Sequence, residues 1–140
     1  MAEGFLKKLL SGRKKEFNIG SAGIFAMDGY PPTEETVRAM EDDGVDVSGH
    51  LSRRLTPEMV RTADKIYVME LLHRAAILNA WPESSEKVFL ITEFSSDSRK
   101  KKEDINIPDP IRQSDGFYKE VREVIQDCVK NIVKSLEGSK

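Results

Sequence analysis

Apolar positions along the chain occur in two patterns, one with helical spacing and one in short continuous runs. The helical spacing predicts five helices, over Met1–Leu10, from a cap at Thr33 to Gly44, over Pro57–Thr62, over Leu71–Trp81 and over Asp115–Glu137. The continuous runs predict three buried strands, at Phe17–Ile19, Ile66–Met69 and Val88–Ile91. Alternation of such strands with helices indicates an α/β fold, an open parallel sheet with helices on both faces.

The predicted first helix has a stop signal but no start signal. Ser11 and Gly12 end it, whereas no capping residue precedes it and no strand leads into it. Sheets of this class usually have four or more strands, so a sheet with three predicted strands is one short. A terminal helix and a helix cut from a longer chain both fit this pattern.

Composition narrows the class of protein. The 140 residues are expected to form one domain, and a charged fraction of 33% with a net charge of −2 favours neither nucleic acid nor an acidic membrane. No apolar run approaches the roughly 20 residues that span a bilayer, and no signal peptide is evident. The single cysteine, Cys128, cannot form an internal disulfide, which fits a reducing cytoplasm.

Few residues carry recognisable chemistry on their own. His50 and His73 fall in different predicted elements without further ligands at metal-binding spacing, so we expect no metal site and no cofactor. Cys128 lies on the apolar stripe of the last helix and is predicted to be a packed core thiol. Arg53 and Arg54 are expected to be solvated loop residues.

Ordered motifs covering nearly the whole chain resemble the bacterial low-molecular-weight protein tyrosine phosphatases. The matching pieces are Met1–Glu3, Ser21–Gly23, Pro31–Pro32, Gly44–Gly49, Leu55–Thr56, Ala63–Met69, Val88–Leu90 before Glu93–Phe94, and Ile107–Pro110. Each is weak alone, but together in this order they are specific. The resemblance implies the phosphotyrosine protein phosphatase I-like fold, lacking its first, interior strand.

The resemblance also implies a catalytic loop that this sequence does not contain. In the family, a first strand leads into Cys, five residues and Arg, followed by a helix that begins much like Met1–Glu3. The loop's backbone N–H groups hold the phosphate, its thiolate attacks phosphorus, and its Arg stabilises the transition state. We therefore expect that the start codon is misassigned or the reading frame is truncated, and that the chain as given is inactive.

Four residues of this chain correspond to family site positions. Asp109, held between two prolines, resembles the general acid that protonates the leaving oxygen; a turn-forming Asp is the alternative. Ser21 matches a serine that hydrogen-bonds the phosphate loop, with a plain turn serine as the alternative. Met27 stands where the family often has an aromatic wall, with ordinary loop packing as the alternative. Ile111 also replaces a usual aromatic residue, which weakens a site for a phenyl group.

Three functional hypotheses remain open. The complete parent would hydrolyse phosphotyrosine in phosphoproteins or phosphorylated small molecules, with phosphoarginine as an alternative substrate. The chain could instead be a non-catalytic binding module, a pseudophosphatase or a piece completed by another chain. A generic α/β domain with accidental matches is the third. Because an absent interior strand leaves backbone groups unpaired, we also expect low stability or self-association through open strand edges.

Overall fold

The computed structural model describes residues 1–13, 17–24, 26–97, 106–107 and 115–138. Its helices and strands are α1 (Ala2–Leu9), α2 (Glu34–Glu41), α3 (Pro57–Thr62), β1 (Ile66–Val68), α4 (Leu71–Ala80), β2 (Val88–Leu90) and α5 (Asp115–Gly138). Short 3₁₀ helices occupy Ser11–Arg13, Pro82–Ser84 and Ile91–Phe94. The helices agree with the sequence-based predictions to within a few residues at each end.

Local capping chemistry sets two of these helix starts. The backbone N–H of Thr36 donates to Thr33 Oγ1 at 3.2 Å, and Met59 N–H donates to Thr56 Oγ1 at 3.2 Å. The first helix, α1, has no side-chain cap at its N-terminus, as the sequence predicted. Gly44 has φ +72°, the left-handed conformation that lets the chain turn away after α2.

The strands β1 and β2 are parallel, with Ile66 opposite Val88 and Val68 opposite Leu90. Residues 17–20 form no strand in the described part of the chain, so the predicted strand at Phe17–Ile19 is wrong. The physical reason is that a three-residue extended segment becomes a strand only when a neighbour completes its ladder. A single parallel bridge joins Gly23 to Arg54 instead.

Helices cover both faces of the two-stranded sheet, which confirms the predicted α/β class. On one face, Val68 and Leu90 pack with Val60 of α3 and Ile77 of α4. On the other face, Tyr67 packs against the cluster that α1, α2 and α5 form. Alternate strand residues therefore point to different helical layers, as the pleat of a strand requires.

The long helix α5 supplies most of the second cluster. Its predicted inward stripe is largely confirmed, because Val121, Ile125, Cys128 and Ile132 are at most 5% exposed. They pack with Phe5 of α1 and with other buried residues from the rest of the chain. The prediction that Cys128 is a packed core thiol is confirmed by its 0% exposure.

Candidate functional site

The N-terminal turn of α1 carries a carboxylate, Glu3, that contacts side chains from three parts of the chain. Glu3 accepts a hydrogen bond from Ser21 Oγ at 2.7 Å and from Lys7 Nζ at 2.9 Å. His50 Nδ1 lies 3.6 Å from the same carboxylate. Glu3 thus joins α1 to two loops that are distant in sequence, around residues 21 and 50.

The surroundings of Glu3 shift its proton equilibrium. Burial acts to raise the pKa of Glu3, but hydrogen bonds from Lys7 and Ser21 and the charges of Lys7 and His50 outweigh it, so the pKa is lowered. Glu3 is therefore a carboxylate at neutral pH. As an ionised group with fixed partners it holds the Ser21 loop against α1.

Contacts of Arg53 with the backbone also hold the Ser21 loop. Arg53 Nε donates to the backbone carbonyl of Ser21 at 2.7 Å, and Gly23 N–H donates to the carbonyl of Arg53 at 2.9 Å. A Cβ atom at Gly20 would meet the Arg53 guanidinium, so a side chain at position 20 would displace the end of the Arg53 side chain from its present place. Ser21 is consequently held by both its side chain and its backbone.

The chain leading towards Asp109 reaches the carboxyl end of β1. Ile107 N–H donates to the carbonyl of Met69 at 2.8 Å, and Asn106 Oδ1 accepts from Leu71 N–H at 2.7 Å. In open α/β sheets, ligand sites form outside the carboxyl ends of the strands. The sequence-predicted site residues Asp109 and Ile111 themselves lie outside the described residues.

The remaining predicted site residue, Met27, lies on a loop and is 68% exposed. Its carbonyl accepts a hydrogen bond from Ser52 Oγ at 2.5 Å, so its backbone is held although its side chain is in solvent. Of the four residues predicted for the site, the structure therefore describes Ser21 and Met27. It ties Ser21, and not Met27, directly to α1.

The side-chain hydroxyl of Tyr67 on β1 has no hydrogen-bond partner among the residues that the structure describes. The hydroxyl oxygen is buried, and burial raises the pKa of this phenol. The backbone N–H of Ile66 donates to the carbonyl of Lys87, so the backbone groups of Ile66 point towards β2. Backbone groups alternate in direction along a strand, so the N–H and C=O of Tyr67 point away from β2. The ring itself is held by Phe94 in an edge contact, with centroids 5.5 Å apart.

Nucleophiles and metal ligands are sparse in the described residues. The only cysteine of the sequence, Cys128, is buried on α5 and is followed six residues later by Lys134 rather than Arg. No three His, Cys, Asp or Glu side chains of the described ranges come together as a metal site. No helix among these residues is long and apolar enough to cross a bilayer.

Glu3, His50 and Arg53 organise this region, although no sequence motif marks them as site residues. A signal for Glu3 was available, since an acidic residue in an uncapped first turn interacts favourably with the helix N-terminus. His50 and Arg53 had no local signal, because each partner lies more than 30 positions away in the sequence. Their roles depend on tertiary structure.

At the N-terminal end of α1, the first-turn N–H groups have no intrahelical acceptor, which is the usual arrangement for binding an anion.

A family model described as low molecular weight phosphotyrosine protein phosphatase matches residues 1–140. The low molecular weight protein-tyrosine-phosphatase Ptp of Acinetobacter johnsonii is 32% identical over 136 residues, covering 97% of this chain and 87% of that protein.

Two further proteins extend the comparison. The protein-arginine-phosphatase of Bacillus subtilis is 26% identical over 137 residues, which cover 98% of this chain and 87% of its length. The structure of Vibrio vulnificus Wzb in complex with benzylphosphonate superposes with a TM-score of 0.81 at 28% identity, covering 96% of this chain and 87% of that one. This chain therefore belongs to the low molecular weight phosphotyrosine protein phosphatase family.

Proposed function

We propose that this fold serves the removal of phosphate from proteins, at a site formed by the N-terminal end of α1 and the carboxyl end of β1. The observation that carries the proposal is the convergence of Ser21, Glu3 and His50 at the uncapped start of α1. Free backbone N–H groups at a helix start suit a phosphate dianion. The matched relatives named as tyrosine and arginine phosphatases support the same reaction class.

The reaction expected from the family uses residues of this chain together with residues of a loop that this chain does not contain. A thiolate of that loop attacks phosphorus, the bond from phosphorus to the leaving atom breaks, and Asp109 donates a proton to that atom. The same carboxylate then removes a proton from water, which attacks phosphorus, releases phosphate and restores the thiolate. We assign Asp109 to both proton transfers, and Ser21 to hydrogen bonding with the phosphate loop.

We further propose that residues 1–140 alone do not hydrolyse phosphomonoesters. Cys128, with 0% exposure on the inner face of α5, is too enclosed to reach a phosphate. Activity then requires a Cys-x5-Arg segment that residues 1–140 do not contain. The backbone groups of Tyr67 that face away from β2 fit a neighbouring strand at this position.

The single buried cysteine also supports a second candidate, a binding module without catalysis. In this alternative the fold recognises a phosphoprotein and does not turn it over. Phosphotyrosine and phosphoarginine are the two substrate classes to compare, because relatives of both kinds match the chain. In either case we propose a cytoplasmic protein, since a lone thiol suits a reducing compartment.

The test begins with the intact mass of the protein purified from its natural source. A mass above that of Met1–Lys140, with a Cys-x5-Arg segment in the added residues, would identify a form that carries the catalytic loop. That form should release phosphate from phosphotyrosine or phosphoarginine peptides. Asp109→Asn should then slow turnover of an aryl phosphate by about 10²- to 10⁴-fold, the range typical of a general acid.

The 140-residue chain is the matched control in the same assays. It should show no hydrolysis above that of its Cys128→Ser variant, because the buried thiol has no catalytic role. If the 140-residue chain hydrolyses these substrates and Cys128→Ser abolishes the hydrolysis, the proposal of inactivity is wrong. A natural mass equal to that of Met1–Lys140, together with tight binding of a phosphopeptide, would favour the binding module.

A further inference from the structure

Two loops next to the Ser21 contact form a platform with a fixed backbone. This loop platform consists of residues 26–30 and 50–54, and Ser52 is its centre. Ser52 N–H donates to the Tyr30 carbonyl at 2.7 Å, and the Ser52 carbonyl accepts from Gly29 N–H at 2.8 Å. Ser52 Oγ accepts from Tyr30 N–H at 3.0 Å and donates to the Met27 carbonyl at 2.5 Å.

Two further features tighten the turn of the first loop. Gly29 has φ +90°, a conformation that residues with side chains rarely adopt. Asp28 Oδ1 accepts a hydrogen bond from Arg54 N–H at 2.8 Å, which holds the turn against the second loop. The backbone of the loop platform is therefore organised before any ligand arrives, which lowers the entropy lost on binding.

Large apolar side chains project from this fixed backbone into solvent. Met27, Tyr30 and Leu51 are 68%, 58% and 57% exposed, and they make up half of the large apolar side chains that are exposed among the described residues. Exposed apolar groups that occur singly need no explanation, but three on one hydrogen-bonded unit indicate an interaction surface. More than half of the surface of each of these side chains is exposed to water.

The charge of the loop platform is opposite to that of the chain as a whole. Arg53 and Arg54 are exposed, and neither forms an ion pair with a described carboxylate. Asp28 is the only acidic residue of the loop platform, whereas the whole chain has a net charge of −2. A cationic and apolar surface on an acidic protein favours an acidic ligand with apolar groups.

We propose that the loop platform binds an acidic segment of a protein, one in which Asp or Glu residues flank an aliphatic or aromatic residue. The arginines attract the carboxylates, and Leu51 and Tyr30 cover the apolar side chain. Because Arg53 also holds Ser21 beside α1, the segment would lie next to the phosphate site. That the segment belongs to the dephosphorylated protein rests on the proposed function; the binding itself does not.

The experiment measures binding of a fluorescein-labelled peptide to the 140-residue chain by fluorescence anisotropy. The probe is an unphosphorylated peptide of about twelve residues with Glu on both sides of a Leu-Tyr pair, a length that spans a surface of this kind when extended. The matched probe has Lys in place of each Glu. We expect the acidic peptide to bind at least tenfold more tightly, with an affinity that falls as salt rises.

Variants of exposed side chains separate this surface from the rest of the protein. Arg54→Glu should weaken binding of the acidic peptide about fivefold, as expected for loss and reversal of one exposed charge. Leu51→Ser should weaken it about threefold or more through lost apolar contact. Arg38→Glu and Leu72→Ser are the matched controls, since both residues are exposed on other elements and should leave the affinity unchanged.

Several outcomes would overturn the proposal. Equal affinity for the acidic and basic peptides, or equal effects of the platform variants and the control variants, would each do so. Binding of anionic vesicles or single-stranded DNA, but not of the acidic peptide, would assign the arginines to another ligand. If the chain forms a dimer at high concentration and Leu51→Ser dissociates that dimer, the loop platform binds a second copy of the chain and not an acidic segment.

The same measurements keep this proposal separate from the proposed function. No turnover is involved, so the peptide result stands whether or not a loop-bearing form hydrolyses phosphate. If acidic peptides bind and that form proves inactive, the loop platform remains a binding site and only its link to catalysis falls. If that form is active and acidic peptides do not bind, the loop platform proposal alone is wrong.

Discussion

The hydroxyl of Ser21 donates a hydrogen bond to Oε1 of Glu3, 2.7 Å away, across 18 positions of sequence. Through this bond the loop after residue 20 is attached to the first turn of α1. Because Glu3 also contacts Lys7 and lies near His50, one carboxylate joins α1 to the loops around residues 21 and 50. Its ionisation should therefore govern how firmly these parts are held together.

The first prediction concerns the pH dependence of stability. The pKa of Glu3 is lowered in the folded protein from its ordinary value near 4.5, so its contribution to stability is present above that value and is lost as pH falls through the lowered pKa. Glu3→Gln should reduce the free energy of unfolding at pH 7 by about 1–2 kcal/mol, as for a charge-assisted hydrogen bond. Urea unfolding at pH 7 and pH 3 measures this.

The difference between wild type and Glu3→Gln should shrink as pH falls below the ordinary Glu pKa of 4.5 and through the lowered pKa of Glu3, because protonation removes the charge that Glu3→Gln lacks. Glu34→Gln is the control, because the Glu34 side chain is 91% exposed and lies 3.9 Å from its nearest cation. A difference for Glu3→Gln that is as large at pH 3 as at pH 7 would show that its charge has no role.

The second prediction concerns the contact between α2 and α5. Arg122 donates to the carbonyl of Ala39 at 2.8 Å and lies 3.3 Å from Asp42 and 3.2 Å from Asp43. Its side chain is only 12% exposed, so removing it leaves the carbonyl of buried Ala39 and the partly buried carboxylate of Asp43 without compensation. Arg122→Ala should lower the free energy of unfolding by about 2–4 kcal/mol in urea titrations.

Arg38→Ala is the matched control for Arg122→Ala. Arg38 is also near two acids, Glu34 at 3.9 Å and Glu35 at 4.0 Å, but its side chain is 57% exposed. Such surface pairs are worth about 0–1 kcal/mol. Equal losses for the two variants would mean that burial does not determine the strength of the Arg122 contacts.

The helices and the fold class were predictable from the sequence, because local signals determine them. Thr33 and Thr56 cap helices as their spacing predicted, and apolar periodicity identified the inner face of α5. The prediction of a strand at Phe17–Ile19 was wrong, because strand formation depends on hydrogen bonds to a neighbouring strand as well as on apolar residues. Two apolar residues, Phe17 and Ile19, cannot reveal whether that neighbour is present.

The candidate site was less predictable than the fold for a related reason. Ser21 and Met27 were selected by resemblance, whereas Glu3, His50 and Arg53 were not selected at all. The contacts of these three residues join segments that are distant in sequence, and no periodic pattern records such contacts. The assignments of Asp109 and Ile111 remain predictions.

The third prediction is that the 140-residue chain associates through the outer edge of β1. In the parallel ladder the N–H of Val68 bonds β2, whereas the N–H of Tyr67 faces away from it. An exposed strand edge pairs readily with another chain. Light scattering should show a mass that increases with concentration, and association should slow hydrogen exchange of the Tyr67 amide more than that of the Val68 amide.

The amide of Val68 serves as the internal control, since its bond to β2 exists in every state of association. A monomer at all concentrations with a sharp, cooperative thermal transition would contradict this prediction. Slowed exchange at Leu51 or Tyr30 in place of Tyr67 would locate the contact on the loop platform and not on the sheet.

The last prediction follows from the buried hydroxyl of Tyr67, which bonds no described residue and whose pKa burial raises. Tyr67→Phe keeps the ring contacts with Phe89 and Phe94 and removes only the unsatisfied oxygen, so it should raise the free energy of unfolding by about 1 kcal/mol. Tyr118→Phe is the control, since the Tyr118 hydroxyl accepts a hydrogen bond from Thr33 at 3.4 Å and its loss should not stabilise. Urea unfolding of both variants measures these changes in stability. Destabilisation by Tyr67→Phe would mean that the Tyr67 hydroxyl has a hydrogen-bond partner in solution. A strand or loop beside β1 would then be the first place to look for that partner.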